Sequence, residues 1–379
     1  MADVAPDPNR GAAGTEVQTA QALRALGHVV DTVWAGDLGR RIAHGNLHLL
    51  LELPRAYERA AVRKLRETRY DVVHVNQPHG FRAARAVHRL FFSTVFIHRS
   101  HGIELNVEHT LERWRRELGA DERRAARRIA SRAIAALLAR HSYAIAREAD
   151  GHIVSSTSDA RFLELQLRVQ PEKIAVIAQA APDEYLRNAP LPMTAARLRR
   201  VLHVAQLAFF KAPMITAAAF NRMAALESDL RFTWVCDRAD HERARAMLMP
   251  ETNARTELLH WMTQEELRAV YDAHGVFLFP SFFEGFGKAF LEAMSRGLCV
   301  VASDAGGMHD LIADTSSGFL VPPGDAEQLA NAALAVLRDP ARGRAIGTAA
   351  AATARVHTWD RVARELTAFY EARLAERRR

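Results

Sequence analysis

Glu284 and Glu292 stand eight positions apart in the stretch PSFFEGFGKAFLEAMSRGLCVVASD, residues 280–304. Between them lie a glycine-punctuated turn, Gly285-Phe286-Gly287, and a lysine, Lys288. A carboxylate can accept hydrogen bonds from two vicinal hydroxyls at once. A glycine turn that opens into a helix presents free backbone N–H groups to a phosphate. Carboxylates on both sides of such a turn suit a ligand made of a sugar, a diphosphate and a ribose. A plainer reading stands beside this one. Lys288 and Glu292 are i,i+4 and would pair on a solvated helix face, worth about 0.3 kcal/mol. Lysine preceding glutamate is the weaker orientation for such a pair, and that polar face begins next to the glycine turn.

The elements that must position these residues follow from the pattern. Val276 to Phe279 is an apolar run short enough for a buried strand. Lys288 to Arg296 reads as a helix with Phe290, Leu291 and Met294 on one side and Glu292 on the other, and Gly297 is placed to end it. Cys299 to Ala302 is a second buried strand. Upstream, Val201 to Ala205 opens the same kind of unit, followed by Gln206 and Lys211. In the first half, Gly11 to Gly14 reads as a small-residue loop, and Thr15 with Gln18 as a capping box. A helix with Val17, Ala20, Leu23 and Leu26 inward follows and ends at Gly27. His28 to Trp34, Asp71 to Asn76, Thr94 to His98, Gly151 to Ser156 and Ile174 to Ala178 read as strands. Alternation of strand and helix predicts doubly wound α/β sheets. A strand normally precedes a glycine loop of this kind, yet only Ala2 to Val4 do so here. Because a sheet without a central strand would expose both neighbours, a start upstream of Met1 is expected.

The motifs together resemble the E-x7-E signature of retaining glycosyltransferases with the GT-B fold, in glycosyltransferase family four. The match comprises Pro280-Ser281, Glu284, Gly285-Phe286-Gly287 and Leu291 to Met294 with Glu292. Asp304, Gly306 and Gly307 match that family's D-x-G-G, and Phe319 to Val321 with Gly324 and Asp325 its G-F-L-V-x-x-G-D. The likeness is dense from about Leu258 to Leu329 and traceable over most of the chain. It implies two Rossmann-like domains facing across a cleft: residues 1–190 on the acceptor side, 191–356 binding the donor, and a C-terminal helix, 357–379, returning to the first domain. Residues 190–193 would form the linker.

The resemblance also assigns roles. Glu284 would hold hydroxyls of the transferred sugar and Glu292 those of the ribose. The turn 285–287, Lys288, Gly306 and Gly307 would line the donor. The loop at Gly14, Thr15 and Glu16 would lie under the diphosphate, and His101, in HRSHGIE, near the reacting sugar; His74 and His98 are expected to pack. The family's G-R-L…K-G reads Ala205-Gln206-Leu207…Lys211-Ala212 here. Lysine is kept and arginine is replaced by a glutamine, which donates hydrogen bonds without charge. The expected activity is metal-independent hexosyl transfer from a nucleotide sugar to an unknown acceptor, with retention and with no cofactor. A catalytically weak nucleotide-sugar binder is the alternative, which Gln206 and the altered glycines favour. A GT-B epimerase is a further one, for which no additional acid and base groups can be placed.

Composition bounds the remaining classes. The chain has 379 residues, a formal net charge of +7 and only two cysteines, Cys236 and Cys299. Both cysteines lie in apolar runs, as reduced buried thiols would. The positive charge is nearly all arginine in alanine-rich helices, without a nucleic-acid-binding signature, so no nucleic-acid partner is expected. No run reaches membrane-spanning length and the start lacks a secretory pattern. A cytoplasmic protein is expected. Arginines 113, 115, 116, 123, 124, 127 and 128, with Trp114 and Leu118 as an apolar side, would allow peripheral contact with an anionic inner membrane face.

Overall fold

The computed structural model describes every residue except 10, 120–124 and 379, and only the backbone of 125–132. The chain forms two compact units, Met1–Ala178 with Asp360–Arg379, and Gln179–Trp359. Each carries its own parallel sheet.

The first unit holds β1 (Val72–Asn76), β2 (Val95–Arg99), β3 (Gly151–Val154) and β4 (Ile174–Val176) in that spatial order. Beyond β1, Met1 to Val4 is hydrogen-bonded on both sides and bends at Asp3 and Val4. The Met1 ammonium donates to His74 O at 2.7 Å and Asn76 N to Met1 O at 3.0 Å. On the other side Ala2 N donates to Val33 O and Ala35 N to Val4 O. These four residues lie where the missing strand was expected. Residues 28–34, read as a strand, pair only with this short piece and form no ladder of their own.

The first helix differs from the expected loop and capping box. It starts at Gly11, so Gly14, Thr15 and Glu16 lie inside it. Thr15 Oγ1 donates back to Gly11 O at 2.9 Å, a bond made within a helix rather than at its cap. Gly14 is needed for contact: a Cβ there would sit 2.5 Å from Pro8 O.

The C-terminal helix Trp359–Arg377 lies largely in this unit. Val362, Ala363 and Leu366 are fully buried. Thr367 meets His28 at 2.9 Å and Tyr370 meets His74 at 2.5 Å. Phe369 fills the space over Gly151, where a Cβ would come within 2.7 Å of its ring. The basic segment forms two helices, Glu104–Glu117 and Ala125–Glu148. Trp114 is buried, contrary to the outward side expected of it, because it falls one turn from buried Leu111 on the same face. Leu118, Arg113 and Arg116 are exposed. Arg123 and Arg124, and the side chains of Arg127 and Arg128, lie outside the described residues. Among those described, no helix is long and apolar enough to cross a membrane.

The second unit has six strands: β5 (Arg200–Val204), β6 (Arg231–Val235), β7 (Thr256–Leu259), β8 (Val276–Phe279), β9 (Cys299–Ser303) and β10 (Phe319–Val321). Their spatial order is β10-β9-β8-β5-β6-β7. The chain first builds outward from β5 through β6 to β7, then crosses back to place β8 on the other side of β5. Ligands of open α/β sheets bind beyond the strand ends at such a reversal. The loops after β5 and β8 therefore flank the crevice.

Two buried arginines staple residues 185–192 to this unit. Arg296 donates to the carbonyls of Tyr185 and Asn188, and Arg197 to those of Leu191 and Pro192.

Candidate active site

Strand β8 ends at Phe279, and the chain runs through buried Pro280 and Ser281, bending at Phe282, to Glu284. The Glu284 side chain is 7 % exposed and that of Lys211 17 %. Lys211 Nζ lies 2.5 Å from Glu284 Oε1, and Ser281 Oγ donates to the same oxygen at 2.7 Å. Lys211 ends a short 3-10 turn, Phe209–Lys211, that follows β5. A backbone bond from Phe282 N to Phe210 O, 2.8 Å, ties the two loops together. The ammonium also stands about 5 Å above two ring faces, at 5.1 Å from Phe210 and 5.2 Å from Phe279. Two residues 73 positions apart are thus brought into contact at the β5–β8 reversal. Both bonds to Glu284 converge on Oε1, so Oε2 is the oxygen left to accept from a ligand. Gln206, five residues before Lys211 in the loop after β5, is exposed.

The glycine turn is shaped from below. Gly287 caps the Lys288–Ser295 helix with φ +94°, a left-handed conformation that favours glycine. A Cβ on Gly306 would lie 1.9 Å from Glu284 O, and one on Gly307 2.6 Å from Phe286 O. Gly306 and Gly307, expected among the donor-lining residues, are therefore buried under the Glu284–Phe286 backbone. The Phe286 ring is also buried, against Phe290; only its backbone can face a ligand. Gly285 sits with them in the turn.

Glu292 is not on a solvated face. It is 5 % exposed, and the Tyr271 hydroxyl donates to its Oε2 at 3.1 Å. Burial pushes the Glu292 carboxyl up, with Lys288 and Tyr271 opposing. Burial likewise pulls the Lys288 ammonium down, opposed by Glu292. Lys288 Nζ lies 5.8 Å from the Trp359 ring centre. Lys288 and Glu292 act on each other through charge alone, from a helix face on which Glu292 is buried and Lys288 half-buried. Tyr271 is absent from the sequence reading; a buried helical tyrosine looks like any core aromatic.

The first unit holds a second cluster at the end of β2. His101 Nε2 lies 2.7 Å from Glu16 Oε1. Arg99, fully buried, approaches the same oxygen at 3.7 Å and donates to Thr19 at 3.0 Å. Burial would raise the Glu16 carboxyl, but Arg99 and His101 hold it well below its ordinary range. His101 and Glu16 are thus joined, while Gly14 abuts Pro8 and Thr15 bonds back to Gly11 O. His98 contacts His152 at 3.1 Å. Burial lowers His74 to about 3, so it is neutral near pH 7. Arg99 was missed; its signal is a charge at the end of an otherwise apolar strand.

Comparison with known proteins bears on what this arrangement is. Residues 10–184 match the model "Glycosyltransferase Family 4", and residues 199–339 match "Glycosyl transferases group 1". A curated relative, the D-inositol 3-phosphate glycosyltransferase of Kribbella flavida, is 28 % identical over 246 residues, 60 % of this chain and 57 % of the relative. The match thus spans little more than half the length of that relative. Among solved structures, a sucrose-phosphate synthase from Thermosynechococcus elongatus superposes with a TM-score of 0.74 at 22 % identity, covering 99 % of this chain and 98 % of the other. Anabaena Alr3699/HepE, solved in complex with UDP and glucose, gives 0.67 at 18 % identity and 97 % of both chains. These superpositions show the GT-B fold. With the two family models covering both units, the chain belongs to the group 1, family 4 glycosyltransferases.

Proposed function

We propose that this chain transfers a hexosyl group from a nucleoside-diphosphate sugar to an acceptor hydroxyl, with retained anomeric configuration. The observation that carries the reading is the Lys211–Glu284 contact at the β5–β8 reversal. The C1–O bond to the diphosphate breaks, leaving positive charge on the sugar ring and negative charge on the phosphate. Lys211 and the backbone N–H groups opening the Lys288–Ser295 helix neutralise the phosphate. Glu284 accepts hydroxyls of the sugar through Oε2, and Glu292 those of the ribose. In the first unit, the histidine role that the family resemblance implies falls to His101, braced by Glu16. A new C1–O bond forms to the acceptor, whose proton passes to the leaving phosphate. That route asks for no separate general base and no metal. UDP is the first nucleotide to test, since the Anabaena structure was solved with it. Exposed Arg113 and Arg116 offer a cationic face to an acidic lipid surface, and the cytoplasm is the proposed compartment.

A second reading, a weak or inactive nucleotide-sugar binder, is favoured by Gln206, which lacks the charge the family's arginine brings. Thermal stabilisation by UDP, GDP, ADP and their sugar conjugates tests donor binding. A ligand at 100 times its dissociation constant adds about 2.7 kcal/mol. One nucleotide series should stabilise the wild type, and Glu292→Ala should abolish the effect. Turnover with that donor then separates enzyme from binder. A well-folded sample that no nucleotide stabilises would sink the donor-site reading.

A further inference from the structure

We infer that Tyr271 is a positioning residue for the donor: its hydroxyl fixes the Glu292 carboxylate and keeps it ready to receive ribose hydroxyls. The inference rests on the proposed role of Glu292.

Tyr271 lies on the helix Gln264–Ala273, outside the signature segment, and is fully buried. Its hydroxyl is 3.1 Å from Glu292 Oε2 and 3.4 Å from Ala289 O. Toward the carboxylate the phenol can only donate, so it supports the ionised form of Glu292. It carries no charge, so it does not compete with Lys288 for the role of counter-ion. A donor on Oε2 also fixes the plane of the carboxylate and leaves Oε1 to the ligand.

The phenol itself is held by its neighbours. Tyr185 packs edge-on to the Tyr271 ring with centroids 6.0 Å apart. Tyr185 is fixed in turn by a bond from its hydroxyl to Gln264 O, 2.8 Å, and by Arg296, which donates to its carbonyl at 2.7 Å. Arg296 also grips Asp272, the residue next to Tyr271, through Nε at 2.8 Å and Nη2 at 3.2 Å. Arg296 follows directly on the helix that carries Glu292. One guanidinium thus locks the helix of the phenol to the helix of the carboxylate. A tyrosine serving only as core filler would not need its hydroxyl aimed at a buried carboxylate.

The test is calorimetric titration with whichever of UDP, GDP and ADP the wild type binds, across pH 5 to 8. The proteins are the wild type, Tyr271→Phe, Glu292→Ala and the double variant. Tyr271→Phe keeps the ring, and its fold is checked by its melting profile. We expect about tenfold weaker nucleotide binding for Tyr271→Phe. The pH at which binding falls off should move upward, because the phenol's support for ionised Glu292 is gone. Tyr271→Phe should have no further effect in the Glu292→Ala background. If Glu292→Ala weakens binding while Tyr271→Phe neither weakens it nor moves the pH profile, the inference fails and the donor reading stands. If Glu292→Ala binds as tightly as the wild type, or no nucleotide binds the wild type, both fail.

Discussion

Lys211 holds Glu284 with the help of Ser281, while Gln206, where the family carries a second cation, stands exposed nearby. On the proposed mechanism the leaving diphosphate would meet Lys211 where the resemblance implies both a lysine and an arginine. Gln206→Arg should add a charge-assisted hydrogen bond, of about 1.5–3 kcal/mol. We expect kcat/KM to rise roughly ten- to hundredfold, measured by donor consumption under saturating acceptor or by donor hydrolysis. An unchanged rate would mean that position 206 does not reach the diphosphate. A second expectation concerns Glu16. Its folded carboxyl lies below the ordinary value of 4.5 because Arg99 and His101 face it. The stability this supplies is complete above the unfolded value and is lost as pH falls below it. Between pH 6 and 3, urea midpoints should therefore fall more steeply for the wild type than for Glu16→Gln. Parallel curves would show that the pairing is energetically idle. The sequence displayed Glu284 and Glu292 plainly, because their spacing across a glycine turn is itself a signal. It hid the burial of Glu292: an i,i+4 lysine–glutamate pair looks the same whether water or a tyrosine lies beyond it.

At the scale of elements, short apolar runs located β5, β8 and β9 to within a residue or two, since strands buried on both faces have little else they can be. The start of the Gly11–Ala25 helix was one failure, and residues 28–34, read as a strand, another. Two glycines and a threonine mimic a loop and a cap, and only the approach of Pro8 O to Gly14 explains why that glycine sits inside the first turn. Contacts remote along the chain leave no periodic trace. The turn after Lys211 shows a related tension. Ala212 adopts φ 51° and ψ 53°, left-handed, directly before Pro213. The family has glycine there. A left-handed alanine costs about 1–2 kcal/mol, and glycine returns part of that gain as unfolded-state entropy. Ala212→Gly should raise the melting temperature by a degree or two. A fall would show that the turn is held in that conformation at no cost to the backbone.

At the scale of the molecule, two sheets of four and six parallel strands each carry their own cluster of functional groups at strand ends. The alternation of strands and helices made this legible. That the final helix belongs with the first unit came from resemblance, and its contacts give the physical reason. Val362, Ala363 and Leu366 are fully buried, and Tyr370 and Phe369 cover His74 and Gly151. Deleting Asp360–Arg379 should expose this surface and destabilise the first unit by several kcal/mol. Limited proteolysis of the shortened chain should then cut preferentially within residues 1–178. Cleavage spread evenly over both units would contradict this placement.

The two glycines beneath the glutamate turn have one more consequence, for anyone who would alter which sugar is used. Gly306 and Gly307 leave no room even for a methyl group against the Glu284–Phe286 backbone. The two loops are cast from a single mould. Transplanting residues 280–287 from another member, to borrow its selectivity, will succeed only when residues 305–308 travel with them. A graft of either loop alone would arrive with a shape its neighbour cannot accommodate.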